Sequence, residues 1–187
     1  MKGFRSTNNL VLLGCLLVST AVPGFAQGSS GQLTVNLQVQ SSITLIFQNN
    51  PAVGTNGFCP LTNSGTNNVG LDMGTAFFPN GSDSLACVAY THLPGALYQV
   101  SSAFDVVVTK ANSSSPNYRL AAEISTAPPA NVTWLVNNVA LNNTGFTALD
   151  ASDTYGTPVT KTLQVQVKNT VPAQVLFETI TFLATAN

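Results

Sequence analysis

Apolar and polar residues alternate through most of the chain after residue 31, and this pattern predicts β-strands. The first predicted strand covers residues 32–40, where Leu33, Val35, Leu37 and Val39 take every second position. Successive side chains of a strand point to opposite faces, so this strand should bury one apolar face. No segment of 27–187 keeps an apolar period of 3.6 residues, so we expect little helix.

Further strands are predicted where short apolar runs lie between clusters of Gly, Pro, Asn and Ser. They span residues 43–47, 70–74, 84–91, 97–109, 117–124, 131–136, 145–149, 159–168 and 174–185. About eight or nine strands with frequent turns predict an all-β fold. We expect an immunoglobulin-like two-sheet sandwich with Greek-key connections, and a closed barrel is the alternative.

Residues 1–26 have the pattern of a secretory signal peptide. Lys2 and Arg5 precede a short apolar run at 10–18, and Gly24 and Ala26 suit a cleavage site before Gln27. A lipoprotein box at 12–15 is the alternative. The apolar run is too short for a membrane span. We therefore expect an exported protein, at the cell surface or secreted, with residues 27–187 as a single domain.

The cysteine count agrees with export. Cys15 lies in the predicted signal peptide, which leaves Cys59 and Cys87 as a pair. An even number of cysteines in an exported chain predicts a disulfide. A metal site is the alternative, but two cysteines and one histidine do not make a zinc ligand set.

Charged residues are rare. With Lys2 and Arg5 removed from the 6 basic residues and all 7 acidic residues kept, the net charge of 27–187 is −3. Nucleic-acid binding needs clustered Lys and Arg, so it is not expected. A surface of hydroxyls and amides suits packing against copies of the same chain or against sugars.

The sequence contains no recognisable catalytic or cofactor-binding motif. His92 is the only histidine, and no phosphate loop or nucleophile motif is present. We therefore expect neither an enzyme nor a cofactor. Asp150 and Asp153 lie in a turn whose spacing matches no EF-hand calcium loop. An intramolecular amide bond between an Asn side chain and Lys110, Lys161 or Lys168, assisted by Glu123 or Glu178, is a further hypothesis without a specific motif.

Aromatic residues raise the alternative of a carbohydrate-binding module. An exposed Trp134, the only tryptophan, could stack on a sugar ring. Trp134 shares a strand face with Val132, however, so we predict that it lies in the core.

The tetrapeptide Leu-Gln-Val-Gln occurs twice, at 37–40 and 163–166. The simplest interpretation is that two strands with the same burial pattern use the same residues. The alternative hypothesis is that both copies lie in edge strands of one apolar core, because the first and last strands of a sandwich commonly lie at sheet edges. Edge strands present unpaired N–H and C=O groups that accept added strands. The strand at 32–40 could then complete the sheet of a neighbouring copy, with Leu33, Val35, Leu37 and Val39 filling its pockets.

The C-terminal segment 170–187 resembles the last strands of secreted bacterial spore-coat-U-type and fimbrial-subunit domains. Pro172 and Ala173 match their turn, Glu178 and Thr179 their acidic-Thr pair, and Ile180 and Phe182 their apolar strand face. Residues 71–78 are similar to an earlier strand and Gly turn. Gln174 and Leu176 depart from the pattern. The resemblance implies an immunoglobulin-like subunit of a surface filament or coat, with copies of itself or related subunits as partners.

Overall fold

The computed structural model describes residues 37–38, 42–78 and 81–187, in which every regular element is a β-strand. The strands are β1 Ser42–Gln48, β2 Leu61–Thr62, β3 Gly70–Leu71, β4 Ala76–Phe77, β5 Ser82–Asp83, β6 Ala89–Leu93, β7 Leu97–Ala111, β8 Asn117–Ile124, β9 Val132–Val136, β10 Val139–Ala140, β11 Thr147–Thr154, β12 Val159–Lys168 and β13 Ile180–Ala186. None of the described residues forms a helix long and apolar enough to cross a membrane. The predicted signal peptide, 1–26, lies outside the described residues.

Two antiparallel sheets contain the main strands, which belong to the compact unit Gln38–Asn187. The larger sheet has the order β1-β7-β12-β9-β10, and β6 pairs with the N-terminal half of β7. The smaller sheet has the order β11-β8-β13. The prediction of an all-β sandwich is confirmed. The strand number is higher than expected because five of the strands are only two residues long.

The strand order is that of an immunoglobulin-like sandwich. Immunoglobulin domains place strands A, B, E and D in one sheet and C, F and G in the other. Here β1-β7-β12-β9 follows the order A-B-E-D, and β8-β13 follows the pair C-F. No described strand occupies the position of strand G, which would lie along the free edge of β13.

The central strands β7 and β8 each have a neighbouring strand along both edges, and many of their side chains are buried. In β7, residues Val100 to Val108 are all buried, and Val100, Phe104, Val106 and Val108 belong to the main apolar core. Tyr118, Leu120, Ala122 and Ile124 of β8 alternate with more exposed residues and close the core from the other side. The period-2 pattern of β8 therefore marks a strand with one buried face.

A tight turn joins β9 and β10. Val136 pairs with Val139, and the two residues between them, Asn137 and Asn138, have φ angles of 51° and 65°. Such a two-residue hairpin needs positive φ at both positions, which Asn tolerates better than most residues.

Several predicted strands have different bounds. Strands 117–124 and 159–168 coincide with β8 and β12, whereas the strand predicted at 84–91 begins only at Ala89. The strand predicted at 174–185 begins at Ile180 because its partner β8 ends at Ile124, so residues before 180 have no ladder to join. The strand predicted at 145–149 extends to Thr154.

The prediction that both Leu-Gln-Val-Gln copies lie in edge strands is wrong for the second copy. Its strand, β12, pairs with β7 on one side and with β9 on the other, so it is central. Leu163 and Val165 are buried in the core, while Gln164 and Gln166 bond to Asn138 and Gln99 on the opposite face. Of the first copy, Leu37 and Gln38 are described and belong to no strand, and the other two residues lie outside the described residues.

Candidate functional site

Among the unpaired strand edges of the described residues, those of β1 in the larger sheet and β13 in the smaller sheet lie close together. β13 pairs along one edge with β8, from Ile180↔Ile124 to Ala186↔Tyr118. β1 pairs along one edge with β7, and its other edge makes only a bridge between Phe47 and Thr66. Backbone N–H and C=O groups on such edges can form hydrogen bonds with an added strand.

A groove with a volume of about 500 Å³ lies between these two strands. Its described lining consists of Ile43, Thr44, Leu45, Phe47, Asn67, Asn68, Thr179, Ile180, Thr181 and Phe182. Ile43 and Leu45 of β1 and Ile180 and Phe182 of β13 are half-buried and pack against the core. The groove therefore opens the apolar interior of the sandwich along one side.

Two phenylalanines of the groove lining, Phe47 and Phe182, pack against each other and against the buried Phe104. The ring centroid of Phe47 lies 5.2 Å from that of Phe182 and 5.8 Å from that of Phe104, in edge-to-face geometry. The centroids of Phe104 and Phe182 are 6.0 Å apart. Edge-to-face contacts hold aromatic rings in defined orientations. This part of the groove is thus preformed.

The described groove lining carries no charged side chain. Its polar members are Thr and Asn, whose neutral side chains can form hydrogen bonds with the backbone of an added strand. The segment 27–47 is also free of charged residues. A strand that is uncharged and apolar on one face therefore matches the uncharged lining and its apolar members, Ile43, Leu45, Phe47, Ile180 and Phe182.

Of the four residues predicted for strand addition, the structure describes only Leu37. Leu33, Val35 and Val39 lie outside the described residues. Leu37 is described, belongs to no strand and has 82% of its surface exposed. The apolar residues on the two walls of the groove lie in segments that the sequence predicts to be strands: Ile43, Leu45, Ile180 and Phe182. The sequence does not show which strand edge is left unpaired.

Cys59 and Cys87 form a disulfide. It joins the loop after β1 to the segment that leads into β6. Around it, the amides of Gly57 and Phe58 donate to the carbonyl of Cys87, and Gly57 accepts from the amide of Ala103. The disulfide therefore fixes the loop against β7, which is also the strand that pairs with β1.

Other candidate residues are occupied by packing or pairing. Trp134 is only 8% exposed, which confirms its predicted place in the core and removes it as a sugar-stacking platform. His92 stacks on Tyr98, with ring centroids 4.8 Å apart. Asp150 and Asp153 face Lys161. Within the described part of the chain, no group of three or more His, Cys, Asp or Glu residues is arranged to hold a metal ion.

The side chain of Glu178 forms hydrogen bonds with the two residues that follow β8. Its carboxylate accepts hydrogen bonds from the amide and hydroxyl groups of Ser125 and Thr126 and from the amide of Thr179. Burial alone would raise the pKa of Glu178, but these hydrogen bonds outweigh it and lower the pKa below its ordinary value. Glu178 thus anchors the start of β13, the strand that forms one wall of the groove.

Comparison with known proteins gives no relative for this chain. No protein-family model matches the sequence, and neither the curated proteins nor the solved structures contain a significant match.

Proposed function

We propose that this chain is an exported structural or adhesive subunit that assembles with copies of itself by strand addition. Residues 32–40 of one copy would lie along β13 of the next copy and cover the groove between β1 and β13. The observation that carries this proposal is the uncharged, partly apolar groove beside the unpaired edge of β13, at the position of strand G.

The lengths agree. At about 3.3 Å per residue, a strand of residues 32–40 extends about 30 Å, and the seven residues of β13 extend about 23 Å. Main-chain hydrogen bonds to β13 would supply affinity. Leu33, Val35, Leu37 and Val39 would point into the groove and set the register, because a slip of one residue would turn polar side chains inward.

A second copy is the occupant we favour over the same chain. Residue 41 is all that separates the segment 32–40 from β1, whose Ser42 already pairs with Ala111. The segment would have to reverse direction within a few residues to reach the groove of its own domain. Leu37 is 82% exposed, so its insertion into a groove would remove apolar surface from water.

A matched pair of substitutions tests the proposal. Leu37→Arg places a charge on the groove face of the segment, and Gln38→Arg places the same charge on its opposite face. We expect the chain 27–187 to form polymers that resist detergent, Gln38→Arg to leave them intact, and Leu37→Arg to abolish them. Size-exclusion chromatography and negative-stain electron microscopy provide the measurement. Equal assembly of both variants, or a monomeric parent chain, would contradict the proposal.

A further inference from the structure

A lysine is buried between the two sheets, beside two carboxylates. Lys161 lies on β12 of the larger sheet, and its side chain is only 1% exposed. Its Nζ is 2.5 Å from Oδ2 of Asp150 and 3.7 Å from Oδ2 of Asp153, both on β11 of the smaller sheet. Residues 27–187 contain four Lys and Arg residues in total, and one of them is therefore held in the interior.

Irregular pairing of β11 brings both carboxylates to the same amine. Residues three apart on a regular strand point to opposite faces. The register of β11 against β8 shifts between Ala148 and Asp150 and again between Asp150 and Asp153. Such β-bulges redirect side chains and often lie next to functional sites. Here they place the two carboxyl groups on one side, facing Lys161.

The surroundings disfavour separated charges. Tyr118 is fully buried, and the hydroxyl groups of Tyr118 and Tyr155 and Oδ2 of Asp153 have no hydrogen-bond partner. Burial raises the pKa of the Asp153 carboxyl, and the charge of Asp150 raises it further, while Lys161 opposes the shift. Burial and the charges of Asp153 and Asp150 also raise the pKa of Tyr118 to about 12, so its hydroxyl stays neutral.

The geometry points to an intramolecular amide bond between Nζ of Lys161 and the carboxyl carbon of Asp150, which joins the two sheets covalently. A proton passes from the ammonium to the Asp150 carboxylate, which leaves a neutral amine and a carboxylic acid. The amine nitrogen attacks the carboxyl carbon, a C–N bond forms and a C–O bond breaks. The leaving oxygen departs as water, so no oxidant or co-reactant is needed.

Asp153 is the proton carrier in this reaction. It accepts a proton from the attacking nitrogen and returns one to the departing oxygen of Asp150. The attack distance is suitable, since the Asp150 carboxyl carbon lies little more than one bond beyond Oδ2. Groups held at about 3–3.5 Å can react with effective molarities of about 10⁵–10⁸ M. The product also removes a buried ion pair, whose desolvation opposes folding.

The structure changes the acceptor and the assisting group that the sequence suggested for such a bond. Glu178 is occupied by Ser125 and Thr126 and is not the partner of Lys161. Lys110 donates to the carbonyl of Ser115, and its Nζ lies 4.9 Å from the centroid of the Tyr155 ring. Lys161 alone among these lysines is paired with carboxylates in the described residues.

Intact-mass spectrometry of the full chain tests the bond directly. We expect the purified protein to be lighter than its sequence by one water molecule, beyond the loss of two hydrogens in the disulfide. Trypsin should fail to cleave after Lys161 and should release the peptide 120–168 with the same mass deficit. A folded protein with the full mass and normal cleavage after Lys161 would overturn the proposal.

Substitutions identify the participants. Lys161→Arg keeps the positive charge and the trypsin site but cannot form the bond, so it should restore both the full mass and the cleavage. Lys110→Arg is the matched control and should keep the mass deficit. Asp153→Asn should slow or abolish the loss of water. An Asp153→Asn protein that loses water as completely as the parent would overturn the role assigned to Asp153.

Discussion

Glu178 illustrates how one side chain can determine where a strand starts. Its carboxylate accepts hydrogen bonds from Ser125 and Thr126, which directly follow β8. It therefore holds two segments of the chain together where the pairing of β8 and β13 ends. The five donors around this carboxylate are three backbone amides and two hydroxyl groups. The acidic-Thr pair noted in the sequence therefore has a structural task at the mouth of the groove.

The pH dependence of stability should reveal this contact. A carboxyl whose pKa is lower in the folded state adds stability above its unfolded pKa, and that contribution disappears as the pH falls through the folded value. We expect Glu178→Gln to reduce the free energy of unfolding by about 1 kcal/mol at pH 7, because the carboxylate is partly exposed. Below the ordinary glutamate pKa of 4.5 the difference from the parent should shrink toward zero.

Urea unfolding at pH 7 and at successively more acidic values provides the measurement. Glu123→Gln, on the outward face of β8, is the control for loss of a negative charge. A Glu178→Gln effect that stays constant from neutral to strongly acidic pH would contradict the assignment.

At the scale of elements, the disulfide and the loop it closes hold β1 in place. β1 is an edge strand of the larger sheet, and the loop after it returns to β7 through Cys59, whose amide donates to Oγ of Ser102. The hydrogen bonds from Gly57 and Phe58 to Cys87 secure the same loop. The wall of the groove formed by β1 therefore depends on this loop.

Removal of the disulfide should be costly. The bond closes a loop with a sequence separation of 28 residues. In the chain-entropy model a loop of this length contributes about 3 kcal/mol. We expect the double variant Cys59→Ala/Cys87→Ala to lose about that much stability in urea unfolding. A loss below about 1 kcal/mol would show that the loop is held by its hydrogen bonds alone.

Alternation along the chain predicted the strands that are long and regularly paired, such as β8 and β12. It failed where tertiary partners decide the bounds: residues 174–179 look like a strand, but β8 ends before it could pair with them. The duplicated tetrapeptide suggested edge strands, yet β12 is a central strand. Its polar Gln164 is accommodated there because it forms hydrogen bonds with Asn138 in a neighbouring turn instead of with water.

The candidate sites were less predictable than the strands. Neither the unpaired edge of β13 nor the convergence of Lys161 with Asp150 can be inferred from local pattern. The first depends on the order of strands in a sheet, and the second on two register shifts in β11.

At the scale of the whole molecule, an immunoglobulin-like sandwich with an unfilled strand position would give each copy a groove for an added strand, as proposed above. The proposed covalent link between Lys161 of β12 and Asp150 of β11 would join the two sheets. Strand addition at β13 and an amide bond in the core are independent, because no residue of the groove lining belongs to the Lys161 cluster.

The most direct test of the central claim places a photo-reactive benzophenone side chain at Leu37. Chains of natural nitrogen-14 content and chains labelled with nitrogen-15 are mixed in equal amounts under unfolding conditions, refolded together and irradiated. We expect cross-linked peptides of mixed isotope content that join the segment 32–40 to β1 or β13. Cross-links to these strands that never mix isotopes, or the absence of cross-links to either strand, would contradict strand exchange between copies.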